Sequence, residues 1–167
     1  MKEKQEVVIG LGSNMGDRKR FLELAITEME KVFNSKAIRS PIYESAAWGF
    51  QSDYQFLNCC IVLTTDLAPE DVLEETKLIE KKLGRVNKSK NFVYESRVVD
   101  LDILYFGDKV LVSNNLTIPH PLMYDRMFVI RPLADICPGL IDPVKKVTIL
   151  ELLSLCNDLN EPLLYEN

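Results

Sequence analysis

The sequence predicts a single α+β domain that spans all 167 residues. Four stretches rich in β-branched and aromatic residues are typical of strands, and two segments between them carry apolar residues at helical spacing. The elements follow the order β-α-β-β-α-β, which is complete by Phe106. That order is typical of a ferredoxin-like sandwich with an antiparallel sheet, here with an appended C-terminal part of helix and strand.

The first strand and the first helix are joined by a glycine-rich segment. Residues 6–11 are predicted as a strand, and residues 10–16 as a tight turn, because they match neither glycine pattern of nucleotide-binding loops. Asp17 is predicted to cap a helix that ends near Phe33. The buried stripe of this helix is expected at Phe21, Leu24, Ala25, Met29 and Val32.

The second and third strands, predicted over residues 38–44 and 54–65, flank a loop with the only tryptophan. Trp48 is either a lid over the core or a stacking surface for a flat ligand, and the sequence leaves both open. In the third strand Asn58 shares a face with Phe56 and two apolar residues. Its amide therefore needs a partner, which is either the backbone or a ligand.

The second helix is predicted to begin at Pro69 and to end at Gly84. Most of its charged residues, Glu80 among them, are expected to face solvent. The residues expected to face the core are Val72, Thr76, Ile79 and Leu83. A polar loop over residues 85–96 follows, of a length that is typical of functional loops.

Residues 97–106 form the central prediction, a strand that ends at a Gly-Asp turn and continues as a hairpin into residues 109–112. Asp100 and Asp102 lie two residues apart, so their Cα atoms are about 7 Å apart on one face of the strand. Such a pair can share hard cations such as Mg²⁺, although an isolated Asp-x-Asp is more often solvated. The opposite, core-facing side is expected to carry Val99, Leu101, Ile103 and Tyr105.

Three arginines lie near the two aspartates in the sequence, namely Arg85, Arg97 and Arg126. Guanidinium groups match phosphate oxygens, so these residues predict a polyphosphate site with its metal ions. His120 lies between two prolines that fix its backbone, and it is either structural or a ligand contact. Arg97 shares the alternation of the core-facing residues, so the strand must begin, bend or bulge near Val98 for Arg97 to reach the site.

The remaining features restrict the class of protein. Residues 129–136 are expected in the core, and Thr148 with Glu151 predicts a capping box for a last helix through Leu155. The formal net charge of −5 argues against nucleic-acid binding. No apolar run approaches a membrane span and no signal segment is present, so a cytoplasmic protein without a membrane partner is expected. The four cysteines have neither metal-binding nor redox spacing.

In this order, the motifs strongly resemble the 6-hydroxymethyl-7,8-dihydropterin pyrophosphokinases of folate biosynthesis, over about residues 7–138. The matching pieces are residues 9–17, 54–58, 84–85 and 97–104, Pro119-His120, and Arg126. The resemblance implies that ATP donates a pyrophosphoryl group to the hydroxymethyl group of the reduced pterin, leaving AMP. It further implies that two Mg²⁺ ions bridge the aspartates and the triphosphate. A monomer is expected.

The resemblance also implies roles for individual residues. The catalytic set is Arg85, Arg97, Asp100 and Asp102, of which the two aspartates bind the metal ions. The nucleotide contacts are Glu80, Arg97, Ile103, Thr117, His120 and Arg126. The pterin pocket is formed by Ser45, Trp48, Phe56, Asn58 and Phe128.

The sequence departs from the family pattern in the loop of residues 85–96, which is about two residues longer. Asn87 stands where some members carry an arginine, and either Lys88 or Lys90 can supply the lost charge. Either Phe92 or Tyr94 covers the pterin. We predict that the loop is mobile and becomes ordered only when both substrates bind.

Two other functions fit part of the pattern. One is a non-enzymatic module of ferredoxin-like fold that binds a nucleotide and regulates a partner. The other is a kinase that transfers only the terminal phosphoryl group and so forms ADP. Neither explains why a stacking pocket, a polar amide and an aspartate pair occur together.

Overall fold

The computed structural model of the protein describes residues 3–84 and 97–166. The elements follow the chain as β1 (Gln5–Ser13), α1 (Arg18–Phe33), β2 (Ile38–Arg39), β3 (Tyr43–Ser45), β4 (Phe56–Thr65), α2 (Pro69–Lys82), β5 (Asp100–Phe106), β6 (Leu111–Val112), β7 (Thr117–Ile118), α3 (Met127–Ile136), α4 (Ile149–Leu155) and β8 (Leu163–Leu164). None of the helices in these two described ranges is long and apolar enough to cross a membrane.

The main sheet has the strand order β5-β1-β4-β3-β8, with β2 also paired to β4, and all of its pairings are antiparallel. Since β2 and β3 together correspond to the second predicted strand, the four predicted strands lie in the order fourth, first, third, second. This arrangement confirms the predicted α+β sandwich with an antiparallel sheet. The predicted hairpin was wrong, because β6 pairs with β7 in a separate ribbon and not with β5.

The helix boundaries follow the predicted caps. The Asp17 carboxylate accepts the backbone N–H of Arg20 at 3.1 Å, and Thr148 forms a capping box with Glu151 at the start of α4. Gly84 follows α2 with a φ of +105°, a left-handed conformation that glycine adopts without strain. Local sequence signals therefore fixed the ends of these helices.

The buried faces of both helices differ in part from the prediction. In α1 the expected Leu24 and Val32 are exposed, because the helix docks on the sheet through a neighbouring stripe of apolar residues. That stripe consists of Leu22, Ala25, Ile26, Met29 and Phe33. In α2 the expected exposure of Glu80 was wrong, since only 7% of this residue is exposed. Glu80 accepts a backbone hydrogen bond from β5, as described below.

A β-bulge in β5 reverses the predicted orientation of Tyr105. Val8 of β1 pairs with Tyr105 and the next residue, Ile9, pairs with Ile103, so Leu104 is an extra residue in β5. The bulge inverts the alternation, and Tyr105 therefore packs with Leu104 against α3 and not with Ile103 on the other face. The strand begins only at Asp100, which confirms that Arg97 is free of the strand's alternation.

Other predicted strand limits also shifted. β1 continues to Ser13, two residues beyond the predicted end at Leu11, so Gly12 lies in a strand and not in a turn. The second predicted strand is interrupted near Pro41, which has no N–H for the ladder, while Ser40 pairs with Cys60 through both its backbone and its hydroxyl. β8, which extends the sheet beyond β3, was not predicted.

The sheet carries a core on each face. Helices α1 and α2 pack on one face, and α3 and α4 cover part of the other, as expected for residues 129–136. On this second side, Asp142 is fully buried and accepts hydrogen bonds from the hydroxyls of Tyr105 and Tyr124 at 2.6 and 2.7 Å. The backbone N–H groups of Val144 and Lys145 complete its shell at 2.8 and 2.7 Å. Burial opposes ionisation of Asp142, but these hydrogen bonds outweigh it and lower its pKa.

Candidate active site

Two rows of residues cross the part of the sheet that α3 and α4 leave open. Gly12 of β1 pairs with Asn58 of β4 on one side and with Asp100 of β5 on the other. One row further, Gly10 pairs with Cys60 and Asp102 in the same way. The two aspartates therefore have only glycines as neighbours on β1, and no side chain covers them from that strand.

Neighbouring side chains leave little room for a Cβ atom at either of these glycines. A Cβ atom at Gly12 would lie 3.1 Å from the amide oxygen of Asn58, and one at Gly10 would lie 3.4 Å from the side chain of Leu104. The shorter distance is tighter than ordinary van der Waals contact. The glycines of β1 therefore keep the floor of the site flat, which explains the glycine-rich segment without a phosphate loop.

A cleft of about 480 Å³ lies over these rows. It brings together eleven of the residues to which the resemblance assigns a role, and it confirms none of the individual roles. These residues are Ser45, Trp48, Phe56, Asn58, Glu80, Arg97, Asp100, Asp102, His120, Arg126 and Phe128. Ile103 and Thr117 do not line the cleft, since Ile103 points into the opposite core. Arg85 and the rest of residues 85–96 lie outside the described residues, including both candidate lysines and both candidate aromatics.

The aspartates differ in their surroundings. Asp100 forms an ion pair with Arg97, whose Nη1 lies 3.0 Å from Oδ2. Burial raises the pKa of Asp102 to about 7, the charge of Asp100 adds to this rise, and the charge of Arg126 opposes it. Two carboxylates at such a position are unfavourable unless a cation binds them.

The backbone of Arg97 is held by the turn that follows β1. The Asn14 side chain accepts the N–H of Arg97 at 2.7 Å, and the N–H of Asn14 donates to the carbonyl of Arg97 at 3.1 Å. Asn14 is 2% exposed, so this reciprocal pair is shielded from water. The turn therefore fixes the point from which the Arg97 side chain enters the cleft.

Glu80 completes the open edge of β5. Among the residues that the structure describes, β5 has a neighbouring strand only on the β1 side, and Glu80 Oε1 accepts the outward N–H of Leu101 at 2.8 Å. A side chain of α2 thus replaces the missing strand at the residue between the two aspartates. Further along the edge, the N–H of His120 donates to the carbonyl of Leu104 at 3.1 Å.

His120 is held as a neutral imidazole. Burial lowers its pKa to about 4, the charge of Arg126 contributes, and the charge of Asp100 opposes the change. Its Nδ1 accepts the N–H of Leu122 at 3.2 Å, so the ring proton is on Nε2. Nε2 lies 3.9 Å from Asp102 Oδ1 and is oriented as a donor at the carboxylate end of the cleft.

The other end of the cleft is aromatic. Asn58 donates from Nδ2 to the hydroxyl of Ser45 at 2.8 Å, which leaves its amide oxygen over Gly12. The partner of the Asn58 amino group is therefore a side chain and not the backbone. Phe56 and Phe128 line this end, and Trp48 lies over the guanidinium group of Arg126 at 4.6 Å.

The donor set of the site suits Mg²⁺. Among residues 3–84 and 97–166, no three His, Cys, Asp or Glu side chains are grouped closely enough to hold a metal ion by themselves. Mg²⁺ is typically bound by one or two carboxylates together with substrate phosphates and water, and not by a complete protein cage. Two aspartates in an open cleft match that requirement.

Some residues of the site were missed at the sequence level. Lys77 lines the cleft, and its spacing of four from Leu73 and three from Glu80 places all three on one face of α2, so helical periodicity could have identified it. Asn114 also lines the cleft. No sequence signal distinguished Asn14, because its role depends on where the chain returns at Arg97.

The chain matches the family model of 7,8-dihydro-6-hydroxymethylpterin-pyrophosphokinase over residues 8–138. It is 41% identical over 135 residues to the 2-amino-4-hydroxy-6-hydroxymethyldihydropteridine pyrophosphokinase of Porphyromonas gingivalis, a match that covers 80% of this chain and 92% of the relative. The enzyme of that name from Aquifex aeolicus is 37% identical over 145 residues, covering 87% of this chain and 88% of the relative.

Among solved structures, the wild-type HPPK-DHPS of Plasmodium falciparum with pteroate superimposes with a TM-score of 0.70 at 16% sequence identity. The match covers 93% of this chain and 43% of that chain, so this chain spans less than half of that protein. At this identity the likeness establishes the fold alone.

Proposed function

This chain belongs to the 7,8-dihydro-6-hydroxymethylpterin-pyrophosphokinase family, and from that premise we propose how its cleft binds and activates the two substrates. The enzyme transfers a pyrophosphoryl group from ATP to 6-hydroxymethyl-7,8-dihydropterin in folate biosynthesis. Family membership favours this activity over a regulatory nucleotide-binding module and over transfer of the terminal phosphoryl group alone. The roles of the individual residues are the proposal.

The observation that carries the proposal is the row Asn58–Gly12–Asp100. Two strand spacings separate the Cα atoms of its ends, which is roughly 10 Å. We place the pterin against Asn58 and the triphosphate against Asp100, so that the hydroxymethyl oxygen lies over Gly12. Binding both substrates on one rigid row of a sheet supplies the proximity and alignment that the transfer needs.

At the pterin end, the reduced ring is proposed to stack between Phe56 and Phe128. The amide oxygen of Asn58 accepts an N–H of the ring, because Ser45 already engages the amide nitrogen and fixes its orientation. Trp48 closes this end of the cleft. Two aromatic faces and an oriented amide are the features that select a flat heterocycle with N–H donors.

At the phosphate end, Asp100 and Asp102 are proposed to hold the two Mg²⁺ ions. When bound, the ions neutralise charge on the phosphate oxygens and help to align the transferred group. Arg97, which is paired with Asp100 in the structure, would have its guanidinium available to a phosphate oxygen if Asp100 held a cation. His120 donates from Nε2 as a neutral group, and Arg126 supplies the second positive charge.

The other implied contacts are proposed with the geometry that is available to them. Ile103 can offer only its backbone to the nucleotide, since its side chain lies in the core. Thr117 in β7 and Arg85 are kept as nucleotide and phosphate contacts on the resemblance alone. Glu80 is proposed to act on the nucleotide end through β5, whose Leu101 N–H it accepts.

We also propose that the enzyme acts as a cytoplasmic monomer. Its four cysteines are free thiols in the described part of the chain, which is typical of a reducing compartment. A mass near 19.1 kDa in sedimentation or light scattering is the expected result. A stable dimer would contradict the proposal.

The decisive experiment is identification of the nucleotide product when the protein is supplied with Mg-ATP and 6-hydroxymethyl-7,8-dihydropterin. AMP and the dihydropterin diphosphate are expected, and a chelator should stop their formation until Mg²⁺ is restored. ADP would instead indicate transfer of one phosphoryl group, and ATP binding without turnover would indicate a regulatory module.

Two substitutions test the metal assignment separately. Asp100→Asn and Asp102→Asn should each abolish AMP formation in a folded protein, because each removes a proposed metal-binding charge. Asp108→Asn is the matched control, since Asp108 is exposed in the turn beyond the end of β5 and should leave turnover unchanged. Activity that survives in both site variants would contradict the proposed metal site.

A further inference from the structure

Arg126 lies between two aromatic rings of the cleft. Its guanidinium carbon is 4.6 Å from the ring centroid of Trp48 and 5.8 Å from that of Phe128. Both distances are within the range of cation–π attraction. Arg126 is only 7% exposed, so its side chain is held in a site largely shielded from water.

Arg126 also lines the same cleft as the carboxylate end, where His120 Nε2 lies 3.9 Å from Asp102 Oδ1. The Arg126 guanidinium therefore contacts the aromatic end in a cleft that the carboxylates share. Trp48, half-buried in the loop between β3 and β4, contacts it from the aromatic side.

We propose that Trp48 is a positioning residue for the nucleotide: its ring holds the Arg126 guanidinium in place for the triphosphate before any pterin binds. This inference rests on the proposed placement of the triphosphate against Arg126. A stacked guanidinium keeps its N–H donors at the edge of its plane, where phosphate oxygens can accept them. Stacking also restricts a long side chain in advance, so less conformational entropy is lost when ATP binds.

The first test measures binding of Mg²⁺ with a non-hydrolysable ATP analogue by calorimetry in the absence of pterin. Trp48→Leu should weaken this binding roughly tenfold, the size of a desolvated cation–π contact, and Trp48→Phe should recover most of the loss. Phe50→Leu is the matched control, because Phe50 lies in the same loop but makes an edge-to-face contact with Phe56 at 6.1 Å. It should leave nucleotide binding unchanged.

Omitting the pterin separates the two possible roles of Trp48. A ring that only stacks on the pterin cannot influence nucleotide affinity when no pterin is present. Nucleotide affinity of Trp48→Leu equal to that of the wild type, with a loss confined to pterin affinity, would overturn the inference. Circular dichroism and thermal unfolding should establish that each variant is folded, and Trp48→Phe keeps the test available if Trp48→Leu is not.

A second readout uses the fact that Trp48 is the only tryptophan. Adding the Mg²⁺-analogue complex without pterin should change the fluorescence of the wild type and not that of Arg126→Ala. In an Arg126→Met background, which keeps a long side chain but removes the cation, Trp48→Leu should cause no additional loss of nucleotide affinity. A further loss in that background would show that Trp48 acts independently of Arg126 and would contradict the inference.

The two proposals can fail separately. If Arg126→Ala binds the nucleotide as tightly as the wild type, then the proposed placement of the triphosphate is wrong, and the role of Trp48 fails with it. If Arg126→Ala weakens binding but Trp48→Leu does not, then only the positioning role of Trp48 is wrong.

Discussion

Glu80 offers the sharpest test of how this site is constructed, because its two possible roles predict different results. The resemblance implies that it contacts the nucleotide, whereas the structure shows its carboxylate bound to the outward N–H of Leu101, between the two aspartates. We compare Glu80→Ala, which removes the acceptor, with Glu80→Gln, which keeps an acceptor oxygen but removes the charge.

The size of the effect follows from burial and charge. A hydrogen bond to a charged acceptor contributes about 1.5–3 kcal/mol, and Glu80→Ala leaves the N–H of Leu101 without this partner at a residue that is 5% exposed. The negative charge of Glu80 also raises the pKa of Asp102, so its removal relieves some repulsion and offsets part of the loss. We therefore expect Glu80→Ala to lower the free energy of unfolding by about 1–2 kcal/mol, and Glu80→Gln to change it little.

The activity should follow the same order if Glu80 works through β5. Loss of a residue that supports metal ligands typically costs roughly 10- to 100-fold in activity, so kcat of Glu80→Ala should fall in that range while Glu80→Gln keeps most of it. Urea unfolding and AMP formation measure the two effects on the same samples. If Glu80→Gln has normal stability but loses ATP affinity as severely as Glu80→Ala, direct contact with the nucleotide is the better explanation and the reasoning is refuted.

Three further results are expected. Asp142→Asn should lower the free energy of unfolding by about 1–3 kcal/mol at pH 7. Because folding lowers the pKa of Asp142, this advantage of the wild type should be lost as the pH falls below about 4 in urea titrations. Gly12→Ala should raise the KM for the pterin more than the KM for ATP, because its Cβ would crowd the Asn58 amide oxygen; equal changes would contradict this. Lys77→Met should raise the KM for ATP roughly three- to tenfold, because Lys77 lines the cleft and its ammonium group forms no ion pair within the described residues, so it can contact ATP. An unchanged KM for ATP would exclude this contact.

The aspartate pair could be predicted from the sequence because strand alternation is a local property. Two carboxylates two residues apart share a face in any regular strand, and in the structure Asp100 and Asp102 both line the cleft. The position of Arg97 outside the regular strand was also predictable, since the alternation alone required a break near Val98 if Arg97 was to reach the site. The neighbours of the pair on β1 were not predictable in this way, because pairing between strands is not a local property and Gly12 was assigned to a turn.

The wrong predictions have a common physical cause. In each case the local sequence is compatible with more than one arrangement, and tertiary contacts select one of them. Helix α1 carries two overlapping apolar stripes, and docking on the sheet selected the one with Leu22 and Phe33. The bulge at Leu104 depends on how β5 pairs with β1, so alternation in one strand could not show that Tyr105 faces α3. The pairing of β6 with β7 likewise depends on the segment that follows, not on the turn at Gly107.

The position of the site at an edge strand has a consequence for its variants. Edge strands expose backbone groups that need protection, and the outer edge of β5 obtains it from the Glu80 side chain and from the N–H of His120. Both residues also line the cleft, so substitutions along this edge act on the sheet and on the proposed metal-binding face together. Trp48 and Phe50 lie instead in a loop that contributes nothing to the ladder. Stability and turnover should therefore change together at the β5 edge and separately in the aromatic loop.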